Sequence, residues 1–316
     1  MGMSWLDSPR LLVRFALASV VVNVLIVVTG GAVRLTGSGL GCPTWPSCTD
    51  GSLVPTKQYA VHGVIEFTNR QLTWVVAVVV LATLVLAVRQ RIERPLAVLL
   101  AATIPAQAVL GGISVLTHLN PWVVAAHFLL SSAIIAIAFT LWWRLHPRPA
   151  TEPVAAGLHT AAWAMVLLTA AVLVVGTVVT GSGPHAGAST DSGVTHRIQL
   201  APASVAQLHA DLVMLLIGVT LGFAVLARAT KVAEPVRRMS WLLLLVELAQ
   251  GLIGFVQYFT HVPAVLVGIH MLGACLVWLA ALAVSATMGG RPFVPRRRRD
   301  RLAAGQVSPS PVPAVH

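Results

Sequence analysis

The chain has 316 residues, of which 57% are hydrophobic and 10% are charged, and its mean hydropathy is +0.84. This composition excludes an ordinary soluble globular protein and is typical of a protein that crosses a membrane several times. The formal net charge of +11 would by itself suggest nucleic-acid binding, but the placement of the basic residues argues against that function.

Eight apolar runs follow one another along the chain. Each is long enough, or nearly so, for a helix with a rise of ~1.5 Å per residue to cross a hydrocarbon core of ~30 Å. The first run is full length and lacks a small-residue cleavage site, so no cleavable signal is predicted. The sequence predicts an all-α polytopic membrane protein with eight transmembrane helices, at 11–33, 72–89, 95–116, 121–143, 157–180, 204–227, 239–259 and 262–287.

The basic residues fall almost entirely on one side of these predicted spans. With the N-terminus inside, 17 of the 21 Lys and Arg residues lie in inner segments. This asymmetry predicts a multi-pass protein of the cytoplasmic membrane with both termini in the cytoplasm. The run from Arg296 to Arg299 is then an anchor to lipid headgroups. Membrane lipids are predicted partners, and nucleic acid is not.

Two stretches of the chain match without a gap at an offset of 143 residues. Each joins two apolar runs through a short loop and carries one histidine several residues inside the second run. Four spans per half give both halves one orientation, which predicts two pseudo-symmetric four-helix bundles. The matching pairs are Ala106 and Ala249, Gln107 and Gln250, Gly111 and Gly254, Thr117 and Thr260, His118 and His261, Val124 and Val267, His127 and His270, and Leu129 and Leu272.

The predicted division of the chain follows from this repeat. A cytoplasmic N-terminus covers 1–10, and the first bundle covers 11–143 and includes a long outer loop at 34–71. A cytoplasmic linker at 144–156 leads to the second bundle at 157–287. The basic tail at 288–316 ends in a stretch rich in Pro, Ser and Ala and is predicted to be disordered.

Two histidines of the second half are candidate axial ligands of a haem iron. His209 and His270 lie at similar depth on two helices that run inward from the outer face, and facing histidines in a four-helix bundle commonly hold haem. The alternative is a hydrogen-bonded pair of core histidines. In the first half His127 matches His270, but the register places Asn69 where His209 stands. This asymmetry suggests a firmly held cofactor in the second half and an exchangeable occupant in the first.

Several other polar residues are weaker candidates. His62 is either a replacement ligand in the first half or an ordinary interfacial histidine. His118 and His261, in the outer turns, are either solvated loop residues or residues that contact a haem propionate or an iron ligand. The repeated Gln107 and Gln250 are candidates for supporting the ligands.

Two glutamates and two cysteines each leave two interpretations open. Glu66 either moves protons beside the first-half pocket or pairs with Arg70 at i,i+4. Glu247, inside the seventh span, is either functional or a structural protonated acid. A disulfide between Cys42 and Cys48 is permitted outside the cytoplasmic membrane, as a structural staple or a redox-active pair.

Three features of the sequence occur together: the run Thr29-Gly30-Gly31-Ala32-Val33-Arg34-Leu35-Thr36-Gly37-Ser38-Gly39-Leu40-Gly41-Cys42-Pro43, the segment from Glu66 to Arg70, and the histidines of spans four, six and eight. With these features the chain resembles haem A synthase over roughly residues 10–288. The resemblance implies an oxidoreductase that converts the C8 methyl group of haem O into a formyl group.

The resemblance also implies roles for individual residues. Haem b would be held by His209 and His270, haem O would lie near His127 with Arg70 at its edge, and Glu66 would be an essential acid. It further implies a cysteine pair at Cys42 and Cys48 and a haem O synthase as functional partner.

One position departs from the family pattern. Many members read Glu-x-x-His-Arg where this chain has Asn69 before Arg70, which puts two-histidine ligation of the substrate haem in doubt and leaves one face of it open. The competing hypotheses are a cytochrome b-type electron carrier without chemistry of its own and a transporter. The electron donor and the oligomeric state, including a homo-oligomer, stay open.

Overall fold

A computed structural model describes residues 8–49, 51–55, 60–146, 156–188 and 196–288. These residues form eight α-helices and no extended sheet, apart from two isolated bridges. The helices are α1 Pro9–Leu35, α2 Ala60–Gln90, α3 Arg94–Leu116, α4 Pro121–Leu145, α5 Ala156–Ser182, α6 Pro202–Ala229, α7 Glu234–Phe259 and α8 Ala264–Met288. All eight are long and apolar enough to cross a membrane, which confirms the predicted all-α polytopic architecture.

The second helix begins earlier than the apolar pattern indicates. Its apolar run starts at residue 72, but α2 begins at Ala60 and is 31 residues long. An apolar run marks only the part of a helix that lies in hydrocarbon, whereas the first turns of α2 carry polar side chains that bond to the outer loop. The first outer loop is therefore shorter than the predicted 34–71.

Each half of the chain packs as a four-helix bundle. In the first half α1 contacts α2 and α4, and α3 contacts the same two helices; α5 and α7 repeat this arrangement with α6 and α8. The halves meet through α1, α4, α5 and α8. Two indoles join them: Trp278 donates to the carbonyl of Ser132 over 2.9 Å and Trp143 to that of Ala286 over 3.2 Å.

The two bundles have separate apolar cores. Alanines that are fully buried, among them Ala16, Ala138 and Ala281, let neighbouring helices approach closely, as is usual inside membranes. The first core is built around Leu12, Val80, Leu100 and Leu141, and the second around Met165, Leu216, Leu243 and Val284.

Three predicted segments lie wholly or mostly outside the described residues. They are the N-terminus before residue 8, the central part of the linker at 147–155, and the tail after residue 288 with its arginine run. The cytoplasmic placement of both termini stays a prediction from the charge distribution.

Candidate functional site

Four polar side chains face the interiors of the bundles, and each lies opposite a glycine of the preceding helix. A Cβ added to Gly111 would lie 3.1 Å from Cε1 of His127, and one added to Gly254 would lie 3.4 Å from Cε1 of His270. In the same way Gly176 faces His209 at 3.2 Å, and Gly30 faces Asn69 at 3.9 Å. Because glycine has no side chain, each of these four positions leaves room for the ring or amide that packs against it.

These side chains present buried polar atoms without partners. Nδ1 of His127, His209 and His270, and Oδ1 of Asn69, are buried and make no hydrogen bond within the described residues. Leaving such an atom unpaired costs roughly 1–3 kcal/mol. Their arrangement in both halves therefore fits pockets that bind a ligand.

The second-half pocket has the donor set that a haem requires. His209 of α6 and His270 of α8 lie on two helices that both pack against α5 and α7. Among the described residues no group of three or more His, Cys, Asp or Glu side chains could hold a metal ion. A haem brings four nitrogen ligands of its own and needs only one or two axial side chains, so two histidines suffice for it.

A glutamine supports the histidine of α4 and of α8 in the same way. Nε2 of Gln107 donates to the carbonyl of His127 over 3.1 Å, and Nε2 of Gln250 donates to that of His270 over 2.7 Å. The repeat in the sequence is therefore a repeat in the structure. Both amides bond to the backbone beneath the ring, which fixes the height of the histidine within its bundle.

The repeated turn histidines lie away from these pockets. His118 and His261 are exposed and have positive φ angles of 51° and 62°. Histidine is among the residues enriched in this left-handed conformation, so the shared turn accounts for their repetition. Their role behind the ligands stays a prediction, without a side-chain hydrogen bond to support it among the described residues.

Glu66 is buried, with 5% of its surface exposed, and both of its oxygens accept hydrogen bonds. Oε2 accepts from the backbone N–H of Cys42 over 2.7 Å, and Oε1 accepts from Nη2 and Nε of Arg70 over 2.7 and 3.1 Å. The i,i+4 pairing that the sequence left open is therefore present. It joins α2 to the first outer loop.

Arg70 holds the same loop with the rest of its guanidinium group. It donates to the carbonyls of Cys42 at 2.9 Å, of Thr44 at 3.1 Å and of Ser47 at 3.1 Å. All three guanidinium nitrogens are engaged by these bonds and by Glu66. Arg70 thus anchors the loop, and its expected contact with the edge of the substrate stays a prediction.

The anchored loop covers the outer mouth of the first bundle. Cys42 and Cys48 form a disulfide within it, and the indole of Trp45 lies against Gly112 of α3, next to the glycine that faces His127. We call residues 42–48 the disulfide loop. This role of the loop could not be predicted from the sequence, because it depends on the contact between Trp45 and Gly112.

His62 also contacts the outer loop rather than the pocket. Its Nδ1 and Oγ of Ser38 share a hydrogen bond of 2.9 Å, and its carbonyl lies against Gly41. It stands seven residues before Asn69, about 10 Å along the helix. As a replacement ligand His62 stays a prediction, with Nε2 as the nitrogen left for the iron.

Glu247 is the most deeply buried carboxyl group of the second bundle, with 2% of its surface exposed. Oε1 accepts from the hydroxyl of Thr220 over 2.9 Å, whereas Oε2 is buried and unpaired. The matching residue of the first half is Ile104. This acid therefore belongs to the second bundle alone.

Part of the chain is similar to known proteins. A stretch of 137 residues is 36% identical to the heme A synthase of Lysinibacillus sphaericus (strain C3-41) and covers 42% of this chain and 44% of that protein. The heme A synthases of Geobacillus thermodenitrificans and Geobacillus kaustophilus (strain HTA426) are 29% and 31% identical over 146 and 145 residues. These two matches cover 44% and 43% of this chain, and 45% and 43% of those proteins.

The matched stretches thus span less than half the length of these relatives. The COX15-CtaA family model, described as cytochrome oxidase assembly protein, matches residues 13–282. That range begins within α1, ends within α8 and includes both histidine pockets. The chain therefore belongs to the cytochrome oxidase assembly protein family.

Proposed function

We propose that this protein is a haem A synthase, which oxidises the C8 methyl group of haem O to a formyl group and so provides haem A for terminal oxidases. The observation that carries the proposal is the unequal pair of pockets. The second half offers His209 and His270 to an iron, whereas the first half has His127 and Asn69 at the corresponding positions, beside the anchored disulfide loop. A duplicated protein with one cofactor and one substrate of the same chemical class needs this asymmetry.

The second-half pocket would hold the cofactor, haem b, through His209 and His270. When bound, haem b supplies one-electron redox chemistry within the membrane. The protein's part is to orient both rings: Gln250 fixes the backbone of His270, and Gly176 and Gly254 leave room for the imidazoles. Their unpaired Nδ1 atoms support the assignment.

The first-half pocket would bind haem O as the substrate, with His127 near its iron. Asn69 is a poor iron ligand, which leaves one face of the substrate haem open to oxygen or water. By analogy with the family, two successive hydroxylations turn the methyl group into a geminal diol, which loses water to give the aldehyde. Each hydroxylation takes its oxygen atom either from dioxygen, with two electrons and two protons supplied and one water released, or from water, with two electrons and two protons passed on to an acceptor.

Glu66 acts in this scheme through its position at the mouth of the first bundle. Its Oε1 accepts from Arg70 and its Oε2 accepts from the backbone of the disulfide loop. Glu66 therefore holds this loop over the bound substrate. Proton transfer, the catalytic role that the family resemblance implies, requires Arg70 to release one of these oxygens.

The remaining assignments follow from the same proposal. The enzyme would lie in the cytoplasmic membrane with both termini in the cytoplasm, and would receive haem O from a haem O synthase. The rival function is a cytochrome b-type electron carrier. It accounts for His209 and His270 equally well, but it has no use for a second pocket with one histidine and a cover.

Haem analysis separates the two functions. The chain is co-expressed with a source of haem O in a host that lacks haem A, and the extracted haems are separated by chromatography with mass detection. Wild type is compared with His127→Ala and Glu66→Gln, and His159→Ala serves as an exposed histidine control. We expect haem A or its hydroxylated precursor from wild type and from the control, and a large loss from the other two. If folded wild type from aerobic cells contains haem b and unchanged haem O, the synthase proposal is wrong and the electron carrier is supported.

A further inference from the structure

The inner end of the second bundle has a widely open cavity, lined mostly by exposed side chains, that the proposed chemistry does not use. It has a volume of about 630 Å³ and lies at the turn between α6 and α7. Arg228 is 19 residues beyond His209, about 28 Å along α6, so the cavity is remote from both histidine pockets. Its lining residues are Arg228, Lys231, Glu234, Arg237, Arg238 and Trp241.

The charges of this cavity are largely uncompensated. Four cations share it with one acid, and within the described parts of the chain none of the four cations is in an ion pair. The corresponding turn of the first bundle differs, because Glu93 there pairs with Arg144 of α4 over 3.4 Å. The second-half turn therefore offers positive charge to a ligand that carries negative charge.

The surroundings indicate that the ligand also has an apolar part. Trp241 is 40% exposed at the end of the span, where indoles usually lie at the level of lipid headgroups. Large apolar side chains follow it along the outer surface of α6 and α7, including Leu226, Leu242 and Leu245, which are 50%, 43% and 64% exposed. An occupant of the cavity would meet cations at one end and apolar helix faces at the other.

We propose that this cavity binds the phosphodiester headgroup of an anionic phospholipid whose acyl chains lie along α6 and α7. Arginines recognise phosphate oxygens through paired N–H groups. Glu234 is suited to accept a hydrogen bond from a glycerol hydroxyl, which favours phosphatidylglycerol or a related lipid. The excess of positive charge on the inner side of membrane proteins explains why this turn is basic. It does not explain why four cations and one indole line the same cavity.

The proposal is tested by lipid binding to the purified full-length protein. Native mass spectrometry follows phosphatidylglycerol binding against a phosphatidylcholine background for wild type and for Arg237→Gln/Arg238→Gln. The matched control is Arg91→Gln/Arg94→Gln, which removes the same charge from the inner turn of the first bundle. If the double variant does not fold, the exposed Arg228→Gln replaces it.

We expect each arginine removed from the cavity to weaken phosphatidylglycerol binding about fivefold, and the control to bind as wild type does. Equal weakening by both double variants would show that only overall charge matters and would overturn the site. No weakening by Arg237→Gln/Arg238→Gln would overturn it as well. Displacement of the lipid by inorganic phosphate at comparable concentration would show that the cavity recognises free phosphate instead.

Discussion

The two halves of this protein hold one histidine each through the same two contacts, with a glutamine and with a glycine. They differ in the loop that lies next to the pocket. Gln107 and Gln250 bond to the backbone of His127 and His270, and Gly111 and Gly254 make room for the two rings. Above the first pocket stands the disulfide loop. Duplication has thus preserved the parts that fix a ring at a given height, while the access to each pocket has diverged.

The difference at the mouth can be traced to single residues of α2 and α6. At the offset of 140 that aligns Asn69 with His209, Ala206 and Ala210 stand where the first half has Glu66 and Arg70. The second bundle has no charged pair at this point with which to anchor a loop. In the first half, by contrast, Glu66 and Arg70 anchor the disulfide loop beside the pocket that has one histidine.

Among the substitutions that distinguish the two halves, Arg70→Met is expected to lower the free energy of unfolding most. It leaves the buried Glu66 without its partner and frees three carbonyls of the disulfide loop, which should destabilise the protein by about 3 kcal/mol. Thermal unfolding in detergent, with limited proteolysis of the loop, measures this. The variant Glu66→Gln/Arg70→Met should be less destabilised than Arg70→Met alone, because the unpaired carboxylate is gone. Equal losses would contradict the anchoring role of the pair.

A smaller effect is expected from Gly112→Ala. The added methyl group would meet the indole of Trp45, so the loop should shift at a cost of about 1–3 kcal/mol. Gly251→Ala in α7 is the matched control, since its Cβ would meet nothing within 4 Å. Accessibility of the outer loop to a protease should rise for Gly112→Ala alone. The same accessibility in both variants would mean that Trp45 does not seat the loop.

The smallest effects are expected from the two glutamines, and Gln107→Leu should have the larger of the two. Each substitution removes one bond to a histidine carbonyl, worth about 1 kcal/mol, but Gln107 also donates to the hydroxyl of Ser131. Both variants should therefore lower the unfolding temperature, Gln107→Leu more than Gln250→Leu. An unchanged unfolding temperature in either variant would show that the repeated glutamine does not stabilise that half.

The sequence was sufficient to predict the eight spans and the repeat, because both depend on apolar runs and spacing within the chain. It could not predict where α2 begins, since the first turns of that helix carry polar residues whose partners lie in the loop. The pairing of Glu66 with Arg70 was one of the open alternatives. The sequence could not predict that the same carboxylate also accepts from the backbone of Cys42, because that residue lies 24 positions away in the loop.

The sequence also could not predict that each of the four polar side chains would pack against a glycine. Gly111 and Gly254 belong to the repeat, but which helix each faces depends on how the bundles close. Gly30 and Gly176 lie at unequal distances from their partners in sequence and carry no shared motif. The contact of Trp45 with Gly112 likewise joins residues 67 positions apart, and no local pattern reports such a contact.

The most direct test of the central claim, that the two pockets have different occupants, is the identity of the haems that co-purify with His127→Ala and with His270→Ala. Both proteins are expressed with a source of haem O, and their haems are extracted and identified by mass. We expect His127→Ala to retain haem b while forming no haem A, and His270→Ala to lose haem b. Equal loss of haem b from both variants, or its loss from His127→Ala alone, would contradict the assignment of cofactor and substrate to separate halves.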